Sequence, residues 1–467
     1  MRLIGNVAVL AGVANALSLL TPRDAPRVVQ HDIRRTQIER PSNDAERLRP
    51  RAGTIAASLT NRKTLYLMNT YIGTPAQTFN LHIDTGSSDL WVNTPKSTLC
   101  SSRGNQCSVS GTYSANSSST YSYVNSLFNI TYADGSGSTG DYATDTVSFG
   151  GANLTGQELG IGYYSSSAEG ILGIGYTTNE AILRYNGDKT YVNVPQHLVQ
   201  SGYINSNAYS LWLNDLDAST GSILFGGVDT DKFQGTLQTV PIIKTSGVYS
   251  AFLIALTALG FNGNTGSIAS NQAIAVLLDS GSSLMYLPDN LAQQAYTMFG
   301  AQYDQEEGLA IIDCSQQQNS TTLDFTFSGA TIRVALSEMV IVAGYNGREN
   351  VCILGISPAD GSTAVLGDTF LRSAYVVYDL ENNEISLAQT DFNSTSSNVL
   401  EITNTSVPSA TAVTSPVTTA TNAAGGVGNI NGGTITLTST IGGAAPTPAA
   451  YGAAVIGAVG AGLIAML

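Results

Sequence analysis

Along residues 64–392 apolar positions come in short runs, many alternating with polar ones, and Gly, Asn, Asp or Ser closes each run. Residues 78–83, 121–132, 141–149, 222–225, 274–278 and 374–378 carry this pattern. Period-two alternation marks a strand with one buried face, and the closing residues are turn formers. Helical spacing is rare; 290–299 is the clearest case. The pattern therefore predicts a mostly β body.

That body repeats itself. Asp84-Thr85-Gly86-Ser87-Ser88 recurs as Asp279-Ser280-Gly281-Ser282-Ser283, each behind an apolar run, 79–83 and 273–278. Ile171-Leu172-Gly173 is echoed by Val365-Leu366-Gly367. The offset from Asp to the second Gly is 89 positions in one half and 88 in the other. Two motifs repeating at nearly one offset imply a tandem duplication, with an N-terminal lobe at 64–240 and a C-terminal lobe at 241–392, each of ordinary domain size.

Charge separates the body from its ends. The 467 residues are 12% charged and carry −14. That balance speaks against nucleic acid, which needs a basic face. Eleven of the 20 Lys and Arg but only five of the 34 Asp and Glu precede residue 64, so this leader carries +6 and the remainder −20. Residues 1–18, with Arg2, an apolar run and the small pair Ala14 and Ala16, read as a signal peptide. Residues 19–63, with Arg34-Arg35, a cluster at 47–51 and Arg62-Lys63, read as a basic propeptide that docks on the acidic body and inhibits it. Residues 393–443 are rich in Ser, Thr, Ala and Gly and read as a glycosylated stalk. Residues 444–467 end in an uninterrupted apolar tail and read as a GPI-attachment signal, a tail anchor being the alternative. The expected route is the secretory pathway to the plasma membrane or wall. Cys100, Cys107, Cys314 and Cys352 fit an oxidising compartment and allow three pairings. Nearest-neighbour pairing would close loops worth about 2.5 and about 4 kcal/mol. Sequons at Asn116, Asn129, Asn153, Asn319, Asn393 and Asn404 fit the same route.

An apolar strand that delivers Asp into a turn of Gly and small hydroxyl residues has a chemical logic. Gly permits close backbone approach, and the hydroxyls can fix the carboxylate. One copy is an ordinary turn; two copies in a duplicated chain would face each other across a pseudo-twofold axis. Two such carboxyls share a proton. The ionised one takes a proton from water while the protonated one polarises a peptide carbonyl, which hydrolyses peptides in acid.

The matching stretches are 71–75 (YIGTP), 84–92 (DTGSSDLWV), 132–136 (YADGS), 169–175 (EGILGIG), 279–283 (DSGSS) and 365–372 (VLGDTFLR). In this order they resemble the pepsin-like aspartic proteases, and among them the fungal yapsin and candidapepsin groups, over about residues 65–392. The resemblance implies a bilobal fold of two related β-barrel-like lobes with a cleft between them, polypeptide substrates, no cofactor, and a monomer. It also implies Asp84 and Asp279 as the catalytic pair, with Thr85 and Ser280 gripping across the lobes and Ser87 and Ser282 orienting the carboxyls. Tyr132 would be the flap tyrosine bonded to Trp91, with Asp134, Gly135 and Ser136 at the flap tip. Ser280 stands where many relatives have Thr, and Ala133 where Gly is commoner.

Other motifs carry less. Residues 135–140 match G-x-G-x-x-G, but a strand pattern follows where a dinucleotide site needs a helix. His31, His82 and His197 show no metal-ligand spacing, so no metal is expected. Asp134, two places after the flap tyrosine, would favour Lys or Arg before the scissile bond; a solvated turn is the plainer reading. A silent binding protein on the same scaffold is the alternative function, although such proteins lose an Asp or the flap Tyr. Carboxylate repulsion should make the body tolerate acid and weaken towards neutral pH.

Overall fold

The computed structural model describes residues 26–39, 62–102 and 106–421, apart from 186, 188, 306, 347–348 and 404. The signal peptide, much of the propeptide, the attachment signal and the Asn404 sequon lie outside the described residues. The alternating runs are strands: Gln77–Asp84, Ser122–Thr131, Gly137–Phe149, Thr220–Phe225, Ile274–Leu278 and Ala374–Asp379. The helical run is the helix Asp289–Phe299, which buries Leu291, Ala292, Ala295, Tyr296 and Phe299 at helical spacing and stops at Gly300, φ 71°.

Both lobes follow one plan. Strand Gln77–Asp84 pairs in parallel with Ile171–Gly173, which pairs antiparallel with Leu90–Asn93. Strand Ile274–Leu278 pairs in parallel with Ala364–Leu366, which pairs antiparallel with Met285–Leu287. The repeated motifs are thus spatial neighbours: Asp84 is in register with Gly173, and Leu278 with Leu366. Their glycines are needed because the chain after each Asp passes directly over them. A Cβ on Gly173 would stand 2.6 Å from the Asp89 nitrogen, and one on Gly367 2.2 Å from the Ser282 carbonyl oxygen.

A shared sheet joins the lobes, in the order Phe233–Pro241, Glu384–Thr390, Ala374–Asp379, Ala208–Trp212, Thr220–Phe225, Val29–Glu39, Arg62–Ile72 and Gln77–Asp84. Strands from both sides of the 240/241 division therefore share this sheet, Ala374–Asp379 pairing with Ala208–Trp212. Tyr209, Phe225, Phe252 and Tyr378 pack beneath it as one aromatic core, Tyr209 stacked on Tyr378 and both meeting Phe252 edge-on. The disulfides are Cys100–Cys107 and Cys314–Cys352, the nearest-neighbour pairing.

Two segments sit differently from their composition. Within the leader, Val29–Glu39 is inserted between Thr220–Phe225 and Arg62–Ile72, with Val29 and Ile33 buried. Backbone pairing and apolar contact hold it there. Residues 393–421, expected to be stalk, pack on the body. Val399–Glu401 pairs with Gly227–Asp229, and Ala410–Ala412 runs parallel to Phe233–Pro241. Ile402, Val407, Val413 and Ala420 are buried, and Thr421 bridges Ile274 at the start of the strand that leads to Asp279. A segment that borrows existing sheet edges needs few large apolar side chains of its own, which the compositional reading overlooked.

Candidate active site

Each aspartate emerges from the buried end of an apolar strand into a turn whose donors converge on its carboxyl. Asp84 Oδ1 accepts from the Gly86 amide at 2.8 Å and Oδ2 from Ser87 Oγ at 2.5 Å. Asp279 Oδ1 accepts from the Gly281 amide at 2.8 Å and Oδ2 from Ser282 Oγ at 2.7 Å. The nests are near copies, as the duplication requires. Each carboxyl also faces the opposite glycine: a Cβ on Gly86 would lie 2.5 Å from Asp279 Oδ1, and one on Gly281 2.4 Å from Asp84 Oδ1. Only Gly lets the two turns come this close.

Reciprocal hydroxyl bonds lock the turns together. Thr85 Oγ1 donates to the Leu278 carbonyl at 3.0 Å and accepts from the Ser280 amide at 2.9 Å. Ser280 Oγ donates to the Ile83 carbonyl at 2.9 Å and accepts from the Thr85 amide at 3.2 Å. Serine at 280 thus keeps the bond that matters. His82 joins the same seam, its Nε2 3.2 Å from the Ser280 carbonyl oxygen.

Both carboxyls are fully buried, and burial raises the pKa of each. Asp279 stands well above the usual range: burial comes first, then the charge of Asp84. Such a pair holds one proton in acid and resists losing it.

The hairpin formed by Ser122–Thr131 and Gly137–Phe149 places Tyr132 beside this pair. Tyr132 is buried, its hydroxyl accepts from Trp91 Nε1 at 2.7 Å, and its amide donates to the Ser136 carbonyl at 2.8 Å. Burial and then the Asp84 charge push its hydroxyl pKa up. Gly135, φ 79°, makes the turn. Asp134 Oδ1 accepts from the Ser136 amide at 2.9 Å and Ser136 Oγ at 2.7 Å, but Oδ2 is shielded from solvent and has no partner. Asp134 also acts electrostatically on Tyr286 of the other lobe. The residues of the G-x-G-x-x-G match straddle the turn and this second strand, so that stretch is part of the hairpin.

One cluster escaped sequence reasoning. Asp89, fully buried, accepts from Tyr142 at 2.8 Å, Tyr191 at 3.1 Å and the Ala181 amide at 2.8 Å. Beside it Glu180 accepts from the Tyr191 amide at 2.8 Å through Oε2, while its buried Oε1 has no partner. Burial, with the charges of Asp89 and Glu158, lifts Glu180 to about 9. The signal was a charged residue, Asp89, directly before the apolar run Leu90-Trp91-Val92. Tyr142 packs on Phe128, and Phe128 on Trp91, so the cluster underlies the flap.

Elsewhere, His197 Nδ1 lies 3.0 Å from Gln157 Oε1. Asn116, Asn153 and Asn393 are exposed, and Asn129 and Asn319 are half-buried.

The sequence model of the eukaryotic aspartyl protease family matches residues 65–390. A probable aspartic-type endopeptidase, opsB of Aspergillus oryzae, is 52% identical over 85% of this chain and 83% of its own length. Secreted aspartic protease 1 of Candida albicans is 42% identical over 75% of this chain and 87% of its own. Aspartic proteinase 3 of Saccharomyces cerevisiae is 34% identical over 75% and 74%. Among solved structures, the aspartic proteinase of Irpex lacteus shares the fold at a TM-score of 0.60, with 23% identity, over 79% of this chain and all of that one.

Proposed function

The chain belongs to the eukaryotic aspartyl protease family and is an aspartic-type endopeptidase; on that premise we propose that Asp84 and Asp279 perform the hydrolysis as a pair sharing one proton. The observation that carries this is the matched pair of nests, each holding a carboxyl against the opposite glycine at the lobe seam. The ionised Asp84 takes a proton from a water held between the two carboxyls. The water oxygen bonds to the scissile carbonyl carbon, and the carbonyl oxygen receives the proton from Asp279. Collapse of the resulting diol breaks the C–N bond: the amine leaves with the proton that Asp84 took, and a diol hydroxyl returns its proton to Asp279, which restores the pair. Tyr132 covers the cleft and excludes water.

Lys or Arg before the scissile bond is favoured, because the unpartnered Asp134 oxygen offers a shielded anion at the flap tip. At an effective dielectric near 20, an ion pair at 4 Å is worth about 4 kcal/mol before desolvation. The leader, the 422–443 stalk and the apolar tail support a zymogen carried through the secretory pathway and held at the cell surface by a GPI anchor. Asp84→Asn and Asp279→Asn, purified as folded mature protein and assayed on a denatured protein at about pH 4, should each lose at least 10²–10⁴-fold. A statine-type transition-state mimic should silence the parent. Parent activity indifferent to the mimic would overturn the dyad. The two termini of the mature protein test the processing.

A further inference from the structure

The flap hairpin, the strand Ala152–Ser165 paired to it and the nearby Tyr185 carry side chains that the hydrolysis does not use. Tyr123 is 55% exposed, Tyr163 38%, Tyr164 68% and Tyr185 49%. Polar bonds organise them: Tyr163 donates to Asp141 Oδ2 at 2.8 Å, Ser126 donates to Asp141 Oδ1 at 2.6 Å, and the Tyr123 hydroxyl lies 3.0 Å from Ser126 Oγ. Asn129 sits on the same face as Tyr164. It pairs with Thr139, which pairs with Tyr164, and residues directly opposite across strands share a face. Its neighbours Phe128 and Ile130 point the other way, into the core. Asn129-Ile130-Thr131 is an N-glycosylation acceptor.

Strand Ser122–Thr131 is also the last strand of the fourteen-stranded sheet, so it presents unpaired backbone along with exposed Tyr123, Val124 and Leu127. An open edge bearing apolar side chains invites strand addition by another chain unless something covers it.

We propose that Asn129, on the edge strand itself, carries an N-linked oligosaccharide whose first sugars lie on the ledge formed by Tyr163, Tyr164 and Tyr185 and whose outer branches screen the free edge of the flap. The apolar faces of the sugar rings stack on the tyrosines, and the sugar hydroxyls reach the free lone pairs of Asp141. In the transfer, C1 of the first sugar leaves the diphosphate of a lipid-linked oligosaccharide donor and bonds to Asn129 Nδ2. The amide gives up one proton, and the lipid diphosphate departs. The remaining N–H keeps donating to the Tyr185 hydroxyl, a bond of 2.6 Å in the bare chain. This inference rests on the secretory route proposed above.

The full chain, secreted from a eukaryotic host, is digested and its glycopeptides are weighed. Native protein is also treated with an endoglycosidase, in parent and in Tyr163→Ser/Tyr164→Ser, with melting and peptidase activity confirming that the variant is folded. Asn129 should be occupied, and its glycan should be released about fivefold more slowly than in the double variant, as a stacking contact requires. Equal release from parent and variant overturns the ledge. A bare Asn129 overturns the proposal in any case. If Asn116, Asn153 or Asn319 is then occupied, the secretory route stands; if those are bare too, it falls as well.

Discussion

Replacing Glu180 by Gln removes a titration that couples stability to pH. Glu180 is buried with one unpartnered oxygen and is held at about 9, against an ordinary 4.5 for the free side chain. The folded state therefore binds this proton more tightly than the unfolded state does. The stabilisation is complete below the unfolded pKa and is lost as pH rises from 4.5 towards 9. At 1.36 kcal/mol per unit, the rise to pH 7 removes about 3 kcal/mol. Gln keeps an acceptor for the Tyr191 amide and never ionises. At about 2.1 cal/mol/K per residue, the loss amounts to roughly 4 °C for a body of about 350 residues. Near-UV circular dichroism melts of parent and Glu180→Gln at pH 4.5 and pH 7 measure it. Both should soften towards neutral pH, because Asp89, Glu158 and the dyad are raised too, but the drop should be roughly 4 °C smaller in the variant. An equal drop in both would refute the assignment of a neutral Glu180.

Asp134→Thr should leave cleavage after Leu or Phe intact and reduce the preference for Lys or Arg by about tenfold in kcat/KM, as the loss of about 1.4 kcal/mol of net pairing requires; unchanged ratios on matched peptides would remove Asp134 from specificity. Gly281→Ala drives a methyl against Asp84 Oδ1, whose carboxyl two hydrogen bonds hold in place. Its kcat should fall about 100-fold or more with the fold retained by circular dichroism, and near-parental kcat would show that the turns can separate freely. A chain ending at residue 392 should melt well below one ending at 422, since it forfeits burial of Ile402, Val407 and Val413 at about 1.5–3 kcal/mol each; equal melting would mean that the strap adds nothing.

The sequence exposed what repeats and what alternates. The Asp turns, the Ile-Leu-Gly and Val-Leu-Gly strands and the flap tyrosine could be placed because two independent motifs shared one offset, and symmetry then put both carboxyls at one seam. The strap at 393–421 stayed hidden because its stabilisation comes from borrowed backbone partners, and a Ser- and Thr-rich average conceals four buried residues. In the leader, the alternation of Val29 and Ile33 was masked by Arg34 and Arg35. Asp89 sat in plain view inside a motif but pointed away from the dyad. Its partners Tyr142, Tyr191 and Glu180 come from distant stretches that no local pattern connects.

The proton shared by Asp84 and Asp279 can be tested most directly through kcat/KM against pH, from 2 to 8, on a single peptide. One ionised and one protonated carboxyl are required together, so the parent should give a bell. Its acid limb marks the first ionisation of the pair, and its alkaline limb the second, which burial and the Asp84 charge push up. Asp84→Asn should abolish the bell along with the activity. A rate that climbs through pH 7, or an Asp84→Asn profile matching the parent, would contradict a dyad working on one shared proton.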